Sequence, residues 1–159
     1  MCKARSAILP GSYDPVTLGH LAVIREAARI YERVYAVVFI NPDKKYLFDD
    51  EKRLEMLRLA TADIPNVTVD FSAGLVIDYM KDKGIDEIFK GYRCEGDLEY
   101  ERKMAEWNKE MGGYDTVFWR SPDEFSAVSS TAVRASLAEG KIPEELLPDA
   151  VCDYLLNCL

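Results

Sequence analysis

The sequence predicts a single α/β domain, a doubly wound five-stranded parallel sheet with helices on both faces. Three observations carry this expectation. Five short runs rich in β-branched and aromatic residues alternate with stretches of helical periodicity, so each strand is followed by a crossover long enough to keep its successor parallel. A chain of 159 residues with 48% hydrophobic content is long enough to bury one sizeable core and short for two. Two of the helical stretches also end at glycines, which take the left-handed conformation that stops a helix.

The strands are read at Ser6 to Leu9, Val34 to Ile40, Val67 to Phe71, Glu87 to Lys90 and Thr116 to Trp119. Between the first two, Gly19 to Tyr31 places Leu21, Ile24, Ala27, Ala28 and Tyr31 on one helical face. Asp49 to Ala62 does the same with Leu54, Leu57 and Leu59 among charges, with Asp49 or Asp50 as the cap and acids in the first turn. Leu75 to Lys83 ends at Gly84, and Asp97 to Met111 ends at Gly112-Gly113. Gly140-Lys141-Ile142-Pro143 and Pro148 leave only short helices in the last third, without linker or repeat. Right-handed crossovers wind such units into a Rossmann-like sheet whose ligands bind beyond the carboxyl ends of the strands. Ser12 and His20 follow the first strand, Lys44 the second, Lys90 and Arg93 the fourth, and Ser129 to Thr131 the fifth. Four loops therefore converge on one edge.

A formal charge of −8 argues against a nucleic-acid surface, because counterion release from a phosphate backbone needs a basic face. A small anion needs only a local cluster, and Lys44, Lys45, Lys90, Arg93 and Arg134 fall near loops. Cys2, Cys94, Cys152 and Cys158 form no C-x-x-C pair, and with a single histidine they imply free thiols in a reducing cytosol rather than a metal site built by the protein. No run approaches the ~20 apolar residues that span a bilayer, and the first residues lack the apolar core of a signal peptide. A cytoplasmic protein is expected.

The only histidine, His20, closes the run from Pro10 to Gly19 that joins the first strand to a helix. A strand, a Gly-containing loop and a helix start present free backbone N–H groups and a positive dipole end to an anion, and an imidazole there can donate to a phosphoryl oxygen. Ser129, Ser130 and Thr131, followed one turn later by Arg134, form a second such start. Capping explains one of these hydroxyls; phosphate explains three with an arginine.

Gly11-Ser12-Tyr13-Asp14-Pro15 with Thr17-Leu18-Gly19-His20 resembles the signature of the nucleotidyltransferases that carry a Thr/His-x-Gly-His motif. Asn41-Pro42-Asp43-Lys44-Lys45, Lys90-Gly91-Tyr92-Arg93, Asp97-Leu98-Glu99-Tyr100-Glu101 and Val128-Ser129-Ser130-Thr131-Ala132-Val133-Arg134 follow in order. Together they resemble the bacterial phosphopantetheine adenylyltransferases over nearly the whole chain. The resemblance implies transfer of the adenylyl group of ATP to 4'-phosphopantetheine, giving dephospho-CoA and pyrophosphate. Other acceptors within the superfamily, nicotinamide mononucleotide or glycerol 3-phosphate, and a non-catalytic nucleotide- or CoA-binding module are the alternatives.

Residue by residue, the resemblance makes His20 the stabiliser of the transition state, Lys44 the holder of the incoming phosphate and Arg93 a contact of the ATP phosphates. It places Ser12, Tyr13, Gly91, Tyr92 and Glu101 at the nucleotide. Phe125, Ser126, Ala127 and Val128 fall near adenine, and Ser129, Ser130 and Thr131 at the β- and γ-phosphates. Ser12 also meets the attacking phosphate, and Val76 and Asn108 flank the pantetheine arm. Lys90 departs from the family, where an arginine usually contacts the acceptor phosphate; lysine keeps the charge but loses the bidentate fork. Mg²⁺ is expected to arrive on the ATP phosphates, with no ligand cage in the protein and Asp14 shaping its Asp-Pro turn. The resemblance further implies a homohexamer and inhibition by CoA at the same site.

Overall fold

The computed structural model describes residues 5–158. Cys2 lies outside them. The elements run β1 (Ser6–Gly11), α1 (Leu18–Ile30), β2 (Arg33–Phe39), α2 (Asp50–Thr61), β3 (Val67–Ser72), α3 (Val76–Lys83), β4 (Glu87–Tyr92), α4 (Glu95–Gly112), β5 (Thr116–Arg120), α5 (Ser130–Ala138) and α6 (Asp149–Cys158), with 3₁₀ turns at Asp123–Phe125 and Glu144–Leu146. All paired strands are parallel and lie in the order β3-β2-β1-β4-β5. This is the expected doubly wound α/β sheet.

Alternation along the strands divides the core between two faces. Ala7, Leu9, Val34, Ala36, Val38 and Phe89 meet Leu21, Ile24 and Ala27 of α1, Leu54, Met56 and Leu57 of α2, Val133 of α5 and Val151 and Leu155 of α6. Ile8, Val37 and Ile88 meet Tyr79 and Met80 of α3 on the opposite face. Residue for residue, the first face is the thicker.

The helix ends follow local chemistry. The Asp49 carboxylate accepts from the Lys52 N–H and caps α2. Gly84 and Gly113 close α3 and α4 at φ 68° and 75°, donating back to the Met80 and Lys109 carbonyls. Gly112 stays helical, and a Cβ there would lie 2.9 Å from Ile77 Cγ2, so that glycine also lets α4 approach α3.

On α2 the buried stripe differs from the expected one. Leu59 is half-buried, while Met56 and Arg53 are fully enclosed. Apolar spacing selects leucines, whereas the fold selects the rows that face β3, α6 and the loops around Ser12 and Phe48, and a guanidinium with enough acceptors qualifies for such a row. The described cysteines, Cys94, Cys152 and Cys158, are free. No helix among the described residues is long and apolar enough to cross a membrane.

Candidate active site

The cleft opens where β1 and β4 part. These two strands pair only through Ala7↔Glu87 and Ile8↔Ile88, yet β1 continues along β2 to Gly11↔Val38 and β4 continues along β5 to Tyr92↔Arg120. Neighbouring strands whose crossovers leave in opposite directions create a crevice beyond their carboxyl ends. Pairing with β5 also carries β4 past its expected end at Lys90: Gly91 and Tyr92 lie inside the strand, and only Arg93 is beyond it. A cavity of about 380 Å³ sits there, lined by Ser12, Tyr13, His20, Lys44, Gly91, Tyr92, Arg93, Phe125, Val128, Ser129, Ser130 and Thr131. The predicted loops do converge.

His20 is placed by the cap of its own helix. Thr17 is the N-cap of α1, its hydroxyl accepts from the His20 N–H, and the His20 ring Nδ1 accepts in return from the Thr17 N–H at 3.0 Å. This is a capping box with histidine where glutamate or glutamine usually stands. A backbone N–H can only donate, so Nδ1 carries the lone pair and the proton resides on Nε2. Although one edge of the ring is open to the cavity, the protein encloses the rest. That burial pulls the imidazole down to about 4, with the positive charges of Arg93 and Lys90 adding to the effect. At neutral pH His20 is therefore an uncharged donor.

Tyr13 supports the ring from one side, 4.9 Å away between centroids. Its backbone is left-handed (φ 47°), which costs energy for a residue with a side chain. The buried hydroxyl donates to the Leu9 carbonyl at 2.7 Å and holds the turn in place. Asp14, next along, is buried and accepts from the Leu47 and Phe48 N–H groups at 2.8 and 3.0 Å. Asp14 thus shapes more than its own turn, because it ties the β1–α1 loop to the β2–α2 loop.

Lys44 lies exposed on that second loop, and its ammonium donates to the Ser12 hydroxyl at 3.3 Å. Beneath it, the fully buried Arg53 donates to the Ser12 carbonyl (3.0 Å), the Phe48 carbonyl (3.2 Å) and the Asp50 carboxylate (2.6 Å), and stacks 3.7 Å from the Tyr46 ring centre. The Tyr46 oxygen accepts from the Asn41 N–H. The β1–α1 loop, the β2–α2 loop and α2 are joined through one side chain.

The other cations each face a carboxylate. Arg93 Nε and its backbone N–H both donate to Asp97, and a guanidinium nitrogen reaches the Val128 carbonyl at 3.5 Å. Lys90 pairs with Glu101 at 3.4 Å, and Arg134 reaches the Asp14 carbonyl at 2.9 Å and its carboxylate at 4.0 Å. Among the hydroxyls, Ser129 caps α5 by accepting from the Ala132 N–H, Ser130 donates to the Pro15 carbonyl, and Thr131 accepts from Arg134. Each loop hydroxyl has a protein partner, including the one that capping explains.

Several predicted residues are not brought into this cavity. Lys90 and Glu101 line an adjoining depression that shares Tyr13, His20, Val23 and Gly91 with it. Ser126 and Ala127 are exposed beside Phe125 and Val128. Val76 begins α3 and packs on the Tyr79 and Met80 side of the sheet, and Asn108 is buried on α4. Gly91 lines the cavity and also has a packing role: a Cβ there would sit 2.3 Å from Val23 Cγ2, so the glycine lets α1 lie against β4. Sequence reading quoted Thr17 and Asp97 within motifs but gave them no role as supports, and it passed over Tyr46, Arg53 and Ser121. The Thr17-x-x-His20 spacing signals a capping box, and Arg53 interrupting an apolar stripe signals a buried cation; Ser121 carries no local signal.

Among the described residues no cluster of three or more His, Cys, Asp or Glu could hold a metal ion. A family model described as cytidylyltransferase-like matches residues 8–136. The chain is 39% identical over 154 residues to the phosphopantetheine adenylyltransferase of Clostridium novyi (strain NT), covering 96% of each. It superposes with a TM-score of 0.69 on the crystal structure of a "putative nicotinate-nucleotide adenylyltransferase" from Vibrio parahaemolyticus, covering 98% of this chain and 93% of that one. At 18% identity that likeness concerns the fold alone. With a family model matching most of its length and a relative this similar from end to end, the chain belongs to the cytidylyltransferase-like family and, within it, to the phosphopantetheine adenylyltransferases.

Proposed function

We propose that this protein is one nucleotidyltransferase domain that moves the adenylyl group of ATP onto 4'-phosphopantetheine, forming dephospho-CoA and releasing pyrophosphate. The observation that carries the proposal is the 39% identity, across 96% of both chains, to an enzyme of that name. An oxygen of the acceptor phosphate attacks the α-phosphorus of ATP; a P–O bond forms there and the bond to pyrophosphate breaks. A phosphate monoester is already ionised, so the site needs no general base. It needs donors that offset anion repulsion and stabilise charge as it shifts onto the leaving group.

The neutral His20, with its free Nε2–H, supplies a donor to the α-phosphate that keeps its protonation state across the working pH range. Ser12 and Lys44, bonded to each other, receive the acceptor phosphate, with Lys90 reaching it from the adjoining depression. Arg93 and the Ser129–Thr131 helix start take the β- and γ-phosphates, and their present partners are exchanged for phosphate oxygens. Tyr13, Gly91, Tyr92 and Glu101 border the nucleotide, Phe125 to Val128 its adenine, and Val76 and Asn108 the pantetheine arm. Mg²⁺ enters as part of MgATP. The two carboxylates lining the cavity, Asp14 and Asp97, already accept from backbone N–H groups and Arg93, which supports that reading.

The protein acts in the cytoplasm as a homo-oligomer, a hexamer by family resemblance, and CoA competes at the same cleft. Exposed Tyr100, Met104, Trp107 and Met111, three or four residues apart on α4, support self-association. Pyrophosphate release is measured with MgATP and 4'-phosphopantetheine, nicotinamide mononucleotide or glycerol 3-phosphate in parallel, with CTP replacing ATP for the last. Release with 4'-phosphopantetheine alone is expected. Release only with another acceptor would overturn the reading.

A further inference from the structure

We infer that Arg53 and Tyr46 form a positioning pair that presents the Lys44 ammonium to the acceptor phosphate. The inference rests on the adenylyl-transfer reading above and adds to it two residues outside the cavity wall. Lys44 is an exposed lysine in the middle of a loop, and such a side chain ordinarily spends its rotamer freedom in solvent. Here its ammonium has two anchors: the Ser12 hydroxyl at 3.3 Å and the Tyr46 ring, whose centre is 5.5 Å away. Arg53 touches both anchors. Its guanidinium donates to the Ser12 carbonyl at 3.0 Å and stacks on the Tyr46 ring at 3.7 Å. Stacking at that distance fixes the ring plane, and the Tyr46 oxygen, accepting from Asn41 N–H, fixes where along the loop the ring sits.

Charge favours the same arrangement. Two cations near one ring would repel each other, but Arg53 is paired with Asp50 at 2.6 Å, so the guanidinium supplies geometry without driving the ammonium away. Lys44, by contrast, has no carboxylate within ion-pair distance among the described residues, which leaves its charge for an incoming phosphate. The ring and the hydroxyl therefore hold Lys44 in place before the substrate arrives, and the ordering cost is met in folding rather than in binding.

Arg53 is fully buried, and its replacement would risk the fold, so the test uses the half-buried Tyr46. Steady-state kinetics of Tyr46→Leu and Tyr46→Phe are compared with the parent protein, varying each substrate separately. Tyr46→Leu removes the ring and is expected to raise KM for 4'-phosphopantetheine about fivefold or more while KM for ATP stays within about twofold. Tyr46→Phe keeps the ring and is expected to restore the acceptor KM. An unchanged acceptor KM in Tyr46→Leu, an equal rise in both KM values, or a Phe variant as impaired as the Leu variant would overturn the inference while leaving the functional reading intact. No turnover of 4'-phosphopantetheine by the parent protein would overturn that reading, and this inference with it.

Discussion

The two walls of the cleft are built on different plans. On the wall made by α1, α4 and α5, the functional groups sit at helix starts and are held by near neighbours in sequence: His20 by Thr17, Arg93 by Asp97, and the α5 amides by Ser129. On the wall made by the β2–α2 loop, Lys44 is held by its near neighbour Tyr46 and by Ser12, 32 positions away, and the loop itself is tied down over long distances in sequence. Asp14 reaches across 33 positions to Leu47, and Arg53 across 41 to Ser12. The charges divide in the same way. Arg93, Lys90 and Arg134 all face a carboxylate, whereas Lys44 faces a hydroxyl and a ring. The difference teaches that the proposed nucleotide side is internally neutralised, while the proposed acceptor side holds Lys90 paired with Glu101 and keeps one unneutralised cation, Lys44, in a place set by tertiary structure.

The largest effect that would break this comparison comes from His20→Ala. If the helical wall stabilises the transition state rather than only binding ATP, kcat falls about 10²- to 10³-fold, the cost of losing one preorganised donor, while KM for ATP changes little. A variant that keeps kcat and raises only KM would reduce that wall to a binding surface. Lys44→Met tests the other side. Losing a charged hydrogen bond to the acceptor phosphate raises KM for 4'-phosphopantetheine about 10- to 100-fold, with ATP little affected. Equal effects on both substrates would erase the distinction between the walls.

Gly91 tests whether the helical wall is placed by packing. An alanine Cβ would come within 2.3 Å of Val23 Cγ2, and a β-branched side chain on a helix strongly prefers one rotamer, so it yields only at a cost. Gly91→Ala should destabilise the protein by as much as about 3 kcal/mol, read as a lower midpoint in urea unfolding. Val23→Ala added to it should recover much of the loss. A Gly91→Ala protein of parental stability would show that α1 moves easily against β4.

The same contrast decides what was legible in the sequence. Strands, helix order and the convergence of four loops follow from periodicity and turn chemistry, and they hold. Strand ends do not follow, because β4 persists through Tyr92 by pairing with β5 after β1 has left it. The functional groups of the helical wall were legible, since a motif is local, but the roles of Thr17 and Asp97 in holding them were not read. Arg53, Tyr46 and the Asp14 clasp were not legible: a loop lysine reads the same whether a buried guanidinium lies beneath it or not. Gly91 was read as a nucleotide contact, and its packing role was missed, because sequence cannot say that Val23 approaches it.

The smallest effect concerns pH, and it isolates His20 because the chain has no other histidine. Burial holds the folded imidazole at about 4 against an ordinary 6.5, so the unfolded chain takes up the proton first as the pH falls. The stability owed to neutral His20 is complete above pH ~6.5 and is lost as the pH falls toward ~4, reaching at most about 2 kcal/mol by pH ~5. Asp86, whose carboxyl is held below its ordinary value by the Arg5 N–H, contributes stability that is lost only at lower pH. Protonating Nδ1 would also remove the acceptor for Thr17 N–H and put a positive charge at a helix N-terminus. Glutamine in place of His20 can still accept that N–H without titrating, since glutamine is one of the usual third residues of a capping box. Urea unfolding of the parent between pH ~6.5 and ~5 should show the decline and His20→Gln should be flat across it; a parallel decline in both would place the titrating group elsewhere.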